Sequence, residues 1–346
     1  MTEPVDLPAF LALSRDDQRE AYLVGSEDLS RSATVLEKDV WVCWTLDALF
    51  RCPDAPDMAF KGGTSLSKIF NAISRFSEDI DVTVDHSGLA PDLDPYDPLK
   101  SQKQCDRDDK TLRKLVCECS NDLIAPHLRS AAAEIGMPDD MLEIEGDGAV
   151  LNVRYPHLVN SPDPYYREGV KIEFGGRNMI EPNETHIVVP YMAQAFDSFA
   201  FPVGEVSVLS PMRTFWEKLT LAHAESNRPD FKNADRTSRH WYDLAVLADH
   251  DIGRSAILEP DLLADVIRVK NRFYKTATAR YELCLQGGSN LLPNDAGMAM
   301  LQADYEQMID AQMLDDPLSF DALVERVRAL QDEVNAAAQT WTVPGD

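Results

Sequence analysis

"KGGTSLSKIFNAISRFSEDIDV", Lys61 to Val82, sets a glycine pair before a helical pattern and ends on two aspartates one residue apart. Leu66, Ile69, Phe70 and Ile73 recur at i, i+3, i+4 and i+7, which predicts one apolar face of a short helix. Thr64 and Ser65 at its start are competent N-caps. A Gly-Gly turn feeding a helix exposes backbone N–H groups with no Cβ in the way, which suits a phosphate but is common to many helices. The second half is more specific. In "EDIDVTVD", Ile80, Val82 and Val84 alternate with Asp79, Asp81 and Thr83, so a strand is expected that buries the first set and turns both aspartates to its other face. Adjacent carboxylates repel, and a divalent cation relieves the repulsion; Mg2+ is usually held by one or two carboxylates plus substrate phosphates. The alternative is the solvated face of an edge strand.

A third acid lies in "GVKIEFGG", where Val170, Ile172 and Phe174 alternate with Lys171 and Glu173. A sheet that brought Asp79, Asp81 and Glu173 to one face would make a three-carboxylate metal site. An ordinary exposed strand acid fits Glu173 equally well, because the sequence does not say which strands are neighbours.

The chain around this motif has 346 residues, long for one domain when about 150 residues is usual. With 44% hydrophobic and 27% charged residues it is expected to be soluble and globular, with an ordinary core. No apolar run approaches the roughly 20 residues of a membrane span, so no membrane partner is expected. The opening "MTEPVDLPAF" lacks the basic and apolar regions of a signal peptide, so a cytoplasmic location is expected. Six cysteines without Cys-x-x-Cys spacing read as reduced, mostly buried thiols. A net charge of −26 repels polyanions in general and favours a cationic partner. Against that field, "VIRVKNRFYKTATAR" carries Arg268, Lys270, Arg272, Lys275 and Arg280 with no acid.

Along the chain, "TVLEKDVWVCWTLDALF" suits a buried helix ending before "RCPDAPD", and a strand should start near Met58. After the opening motif, "DHSGLAPDLDPYDPLKSQKQ" reads as a long surface loop and Asp108 to Gly136 as a long helix. From Met141 short alternating runs begin, with a Gly-Asp-Gly hairpin signal in "LEIEGDGAVLNVRYP". Ser210 and Pro211 form an N-cap and N1 pair, and the chain beyond them looks helical, ending in a helix around Phe320 to Ala338. The expected class is α+β, a mixed or antiparallel sheet with helices over residues 1–205 and then a helical domain over 206–346.

Gly62-Gly63 and Asp79-Ile80-Asp81-Val82 resemble the signature of the nucleotidyltransferase fold of DNA polymerase β-like enzymes. More closely, "EKD" (Glu37 to Asp39), "FKGGTSLSK" (Phe60 to Lys68), "RFSEDIDV" (Arg75 to Val82), "FWEKL" (Phe215 to Leu219) and "RHWYDL" (Arg239 to Leu244) are similar, in order, to the AbiEii/AbiGii toxin family of nucleotidyltransferases. Lys61 departs from the general signature in taking a normally hydrophobic place.

The resemblance implies a type IV toxin-antitoxin or phage-abortive toxin with a cognate antitoxin. It implies transfer of an NMP from an NTP, with Mg2+ or Mn2+, onto RNA; in some members the acceptor is a tRNA 3′ end. Asp79, Asp81, Lys218 and Asp243 are the implied catalytic set, to which the strand alternation adds Glu173 as an aid to deprotonation and a candidate third metal acid. Gly62, Gly63, Thr64, Ser65, Lys68 and Lys218 are the implied nucleotide contacts, with Lys218 neutralising the triphosphate. Read as plain helix residues, Lys218 is solvated and Asp243 pairs with Arg239. The basic segment from Arg268 to Arg280 is either an acceptor-RNA surface or a helix whose charges balance nearby acids. Ser77, beside the metal acids, is a position where phosphorylation would block NTP binding. Two alternative functions stand beside this one: NMP transfer to a protein hydroxyl, and a catalytically silent acidic partner of a basic antitoxin.

Overall fold

The computed structural model describes residues 7–97, 99–159, 168–231 and 236–341. Residues 1–6 of the opening "MTEPVDLPAF", the stretch that bears on a leader, lie outside the described part. The elements run α1 (Arg15–Leu29), α2 (Ala33–Phe50), β1 (Met58–Lys61), α3 (Gly62–Lys68), β2 (Ile80–Val84), α4 (His86–Leu89), α5 (Gln102–Cys119), α6 (Ala125–Glu134), β3 (Leu142–Glu145), β4 (Val150–Val153), β5 (Val170–Gly175), β6 (Asn183–Val188) and β7 (Gly204–Leu209). The remaining elements are helices: α7 (Pro211–Ser226), α8 (Ser238–Asp249), α9 (Asp251–Ile257), α10 (Pro260–Phe273), α11 (Asp295–Asp310) and α12 (Phe320–Ala338). The class is α+β, a mixed sheet and then helices.

Two compact units divide the chain. The first takes residues 1–64, 77–93 and 110–208; the second takes 65–76, 94–109 and 209–346. The opening motif is therefore shared out between them, its glycines and aspartates to the first and Ser65 to Phe76 to the second.

In the first unit a seven-stranded sheet has the order β3-β4-β5-β2-β1-β7-β6, with β2 antiparallel to β1 and parallel to β5. The alternation read from sequence sorts its faces. Ile80, Val82, Ile172, Phe60 and Val208 are buried on one face, while Lys61, Asp81 and Glu173 lie level with one another on the other. β2 is a middle strand, which overturns the edge-strand alternative; Thr83 in it and Asp79 just before it are 0% and 7% exposed.

The apolar run of α2 is buried nearly all round, as a central helix must be. Its polar triplet is buried too, and each member ties down a different segment. Glu37 accepts the Leu158 N–H at 2.7 Å, Lys38 pairs with Glu78, and Asp39 accepts the Tyr191 N–H at 2.6 Å. In the second unit, Trp216, Trp241, Tyr305, Leu263 and Val327 form the interior of the helical bundle.

Three local expectations change. The helix of the opening motif starts at Gly62 and stops at Lys68, since the backbone turns into the left-handed region at Asn71 (φ 47°); Ile73 is buried beyond its end. The long helix starts at Gln102, and a wider turn over Ser120–Ile124 precedes α6, where Pro126 has no N–H to continue the ladder. Ser210 sits at the N-cap position of α7 but makes no side-chain cap. Among the described residues the six cysteines form no disulfide, and Cys43, Cys52, Cys117 and Cys284 are buried. No described helix is long and apolar enough to cross a membrane.

Burial pushes the Glu37 carboxyl up to about 7, against the backbone N–H groups of Leu158 and Val159, which favour its charged form. A carboxyl raised in the folded state gives up stability as pH climbs from the unfolded value near ~4.3 through the folded one. Wild type is therefore expected to lose stability relative to Glu37→Gln between about pH 5 and about pH 8. Urea midpoints of both proteins at the two pH values check this, and parallel pH curves would refute it.

Candidate active site

In the first unit the glycine turn and the strand acid Asp81 meet. Gly62 has φ 86°, and a Cβ built on it would lie 2.2 Å from Asp81 Oδ2, so the carboxylate rests against a backbone that only glycine leaves open. Thr64 does not cap a helix; its hydroxyl donates to the Asp79 carbonyl and lies 2.9 Å from the Ser77 hydroxyl. Glu78, 3% exposed, is held by Lys38, 1% exposed. The backbone on either side of Asp79 is thus fixed by a hydroxyl and a buried ion pair. Asp79 itself is buried and Asp81 half-buried.

The parallel pairing of β2 with β5 sets Asp81 level with Glu173, the adjacency that sequence left open. Glu173 forms an ion pair with Lys171 on its own strand. Among the described residues no group of three or more His, Cys, Asp or Glu side chains is arranged to hold a metal. What remains is the pair Asp79 and Asp81 beside a glycine turn. That donor set fits Mg2+ or Mn2+ whose other ligands are phosphate and water oxygens.

In the second unit, Lys218 on α7 is buried beside its apolar stripe of Phe215, Leu219 and Ala222 and does not reach solvent as a plain helix lysine would. Its Nζ lies 2.9 Å from Asp243 Oδ2 and 3.5 Å from His240 Nδ1. Asp243, 0% exposed on α8, also receives Arg75 Nε at 2.6 Å and Nη2 at 2.8 Å, a bidentate guanidinium–carboxylate pair. Burial alone would raise the Asp243 carboxyl, but Arg75 and Lys218 outweigh it and hold it well below the usual range. Burial pulls the Lys218 ammonium down, with Asp243 pushing back, and burial together with Lys218 pulls His240 down, leaving its Nδ1 as an acceptor. Ser65 is buried and Lys68 half-buried on α3.

The basic segment is the end of α10 and the turn after it. Arg268 pairs with Asp265 at 2.6 Å and stacks over Tyr96. Arg272 lies 2.9 Å from Asp109 and donates to the carbonyls of Pro95 and Cys105. Lys270 lies over the Tyr274 ring. Lys275 and Arg280 are exposed. Arg268 and Arg272 thus fasten residues 94–109 to the bundle within the second unit.

Sequence reasoning did not single out Arg75, Lys38 or Glu78 as parts of the site. Each stands inside "EKD" or "RFSEDIDV", but only the folded chain reveals partners 168 and 40 residues away.

A family model described as "Nucleotidyl transferase AbiEii toxin, Type IV TA system" matches residues 44–326. Seven solved chains are similar to this one, among them MenT4, a nucleotidyltransferase toxin from Mycobacterium tuberculosis H37Rv. The likeness to MenT4 has 22% sequence identity and a TM-score of 0.47, and covers 95% of this chain and 93% of that one. No curated protein matches the chain.

Removing one member of a buried ion cluster leaves the others uncompensated, typically at about 3–5 kcal/mol. Asp243→Asn is therefore expected to lower the unfolding free energy of the second unit by about that amount. Since the Asp243 carboxyl is depressed in the folded state, its contribution is present above the unfolded value near ~3.9 and lost as pH falls below it. Urea unfolding of wild type and variant at neutral and acid pH measures both effects; a gap that does not narrow in acid contradicts the account.

Proposed function

The chain belongs to the AbiEii family of nucleotidyl transferase toxins of type IV toxin-antitoxin systems, and from that premise we propose that it transfers a nucleoside monophosphate from an NTP to an RNA hydroxyl, with a tRNA 3′ end as the acceptor class. The observation that carries this reading is the seating of the Asp81 carboxylate against the Gly62 backbone, which brings the glycine turn and the strand acid to one place.

The attacking hydroxyl oxygen forms a bond to the α-phosphorus, the bond from that phosphorus to the bridging oxygen breaks, and pyrophosphate leaves. The proton of the hydroxyl passes to Glu173 or to water. Gly62, Gly63, Thr64, Ser65 and Lys68 contact the phosphates, and Lys218, kept in place by Asp243, offsets charge on the triphosphate. Asp79 and Asp81 would hold Mg2+ or Mn2+, with Glu173 at the margin of the set. When bound, such an ion supplies charge neutralisation at the reacting phosphate and a more acidic hydroxyl. A cognate antitoxin is the expected protein partner. In the basic segment, Lys270, Lys275 and Arg280 are the residues assigned to acceptor RNA, with Arg268 and Arg272 shaping the surface they stand on.

Incubation with each α-labelled NTP and total cellular RNA tests the reading. Label is expected in RNA of tRNA size, and Asp81→Asn is expected to abolish it while leaving the circular-dichroism spectrum unchanged. Label in protein would turn the reading to a protein hydroxyl, and a growth effect that survives Asp81→Asn would turn it to a silent binding partner.

Ser77 adds a regulatory point. A phosphate on its hydroxyl would break the contact with Thr64 and place about two negative charges beside Asp79. Ser77→Glu is expected to lose most transfer, and full activity in that variant rules the point out.

A further inference from the structure

Across the polar face of the sheet, Lys61 on β1, Asp81 on β2 and Glu173 on β5 stand in one row. Neighbouring strands lie about 4.8 Å apart, and like charges directly opposite one another destabilise a sheet. Asp81 and Glu173 are such a pair. Glu173 has its own cation, Lys171, two residues back on the same strand. Asp81 has Lys61, directly across the antiparallel pair from it, with the side chains of such partners on one face. Beyond the end of β5, Asn178 reaches back to the same lysine. In the amide orientation that satisfies its surroundings, its oxygen accepts from Lys61 Nζ at 2.9 Å, and its nitrogen donates to the Arg177 carbonyl at 3.2 Å.

Lys61 therefore has two partners to choose from, the carboxylate across the strand pair and a neutral amide. We propose that Lys61 is the resident counter-ion of Asp81: from across the strand pair it balances the carboxylate before a divalent ion binds, and it is left to Asn178 alone when the ion takes its place. This deepens the proposed function and rests on its assignment of Asp79 and Asp81 as metal ligands. Lys61 is on this account a positioning residue, because it acts on the charge and placement of Asp81.

The test measures Mn2+ binding to the protein without nucleotide, by titration calorimetry or by loss of the free-ion electron paramagnetic resonance signal. Lys61→Met keeps the length of the stem and removes the competing charge, so Mn2+ is expected to bind about two- to fivefold tighter, the factor that corresponds to one cross-strand charge pair. The variant's melting temperature should also rise more on adding Mn2+ than that of wild type. Lys61→Arg keeps the charge and should bind Mn2+ as wild type does.

Should Lys61→Met fail to fold, Asn178→Leu carries the test in the other direction. With that partner gone, Lys61 is left to Asp81 and Mn2+ binds more weakly. Equal or weaker Mn2+ binding by folded Lys61→Met overturns the proposal, as does unchanged binding by Asn178→Leu. If wild type binds Mn2+ and Asp81→Asn does not, the metal assignment survives that failure. If no variant and no wild type binds Mn2+, both fall together.

Discussion

A charge withdrawn from water must be met at once by an opposite charge or by hydrogen bonds, because an uncompensated ion in a protein interior is among the most unfavourable things a fold can contain. This chain has a net charge of −26 and places several carboxylates inside, so that constraint shapes much of it. Glu78 has Lys38, Asp243 has Arg75 and Lys218, and Glu37 and Asp39 have backbone N–H groups. Each pairing joins segments distant in sequence, so the neutralising contacts are also the ones that hold loops to helices. Within the first unit, the Lys38–Glu78 pair fixes the backbone next to Asp79 at the start of the middle strand.

Much of this could be read from the sequence wherever a repeating apolar pattern decided the matter. The alternation of Ile80, Val82 and Val84 is a buried strand face, the apolar run of α2 is a buried helix, and the C-terminal helix lies where its periodicity put it. The failures have physical causes of other kinds. The helix after the glycine pair ends early through the backbone conformation at Asn71, although the apolar spacing runs on to Ile73. The hydroxyl of Thr64, chosen as a cap, goes to the backbone at Asp79. The level placement of Asp81 and Glu173 depends on a parallel pairing, which no local pattern encodes.

The basic stretch shows the same limit for charge. Five cations without an acid look, in sequence, like a surface set aside for a polyanion. In the fold, Asp265 lies one turn before Arg268, and Asp109 comes to Arg272 from a segment some 160 residues earlier in the chain. A count of charges gives the field a segment makes in isolation; how much of it reaches a ligand depends on acids brought from elsewhere.

The Arg75–Asp243 pair spans 168 residues, and its arginine sits between two strands whose own pairing is local. During synthesis β1 and β2 can pair as soon as both have left the ribosome, whereas the stretch from Ser65 to Phe76 must wait for α8 before it can settle into its own unit. For a protein of a toxin family this imposes an order of events. The local pairing that places Asp81 against β1 needs only the first 84 residues, whereas Lys218 and Arg75 can close around Asp243 only when most of the chain has been made.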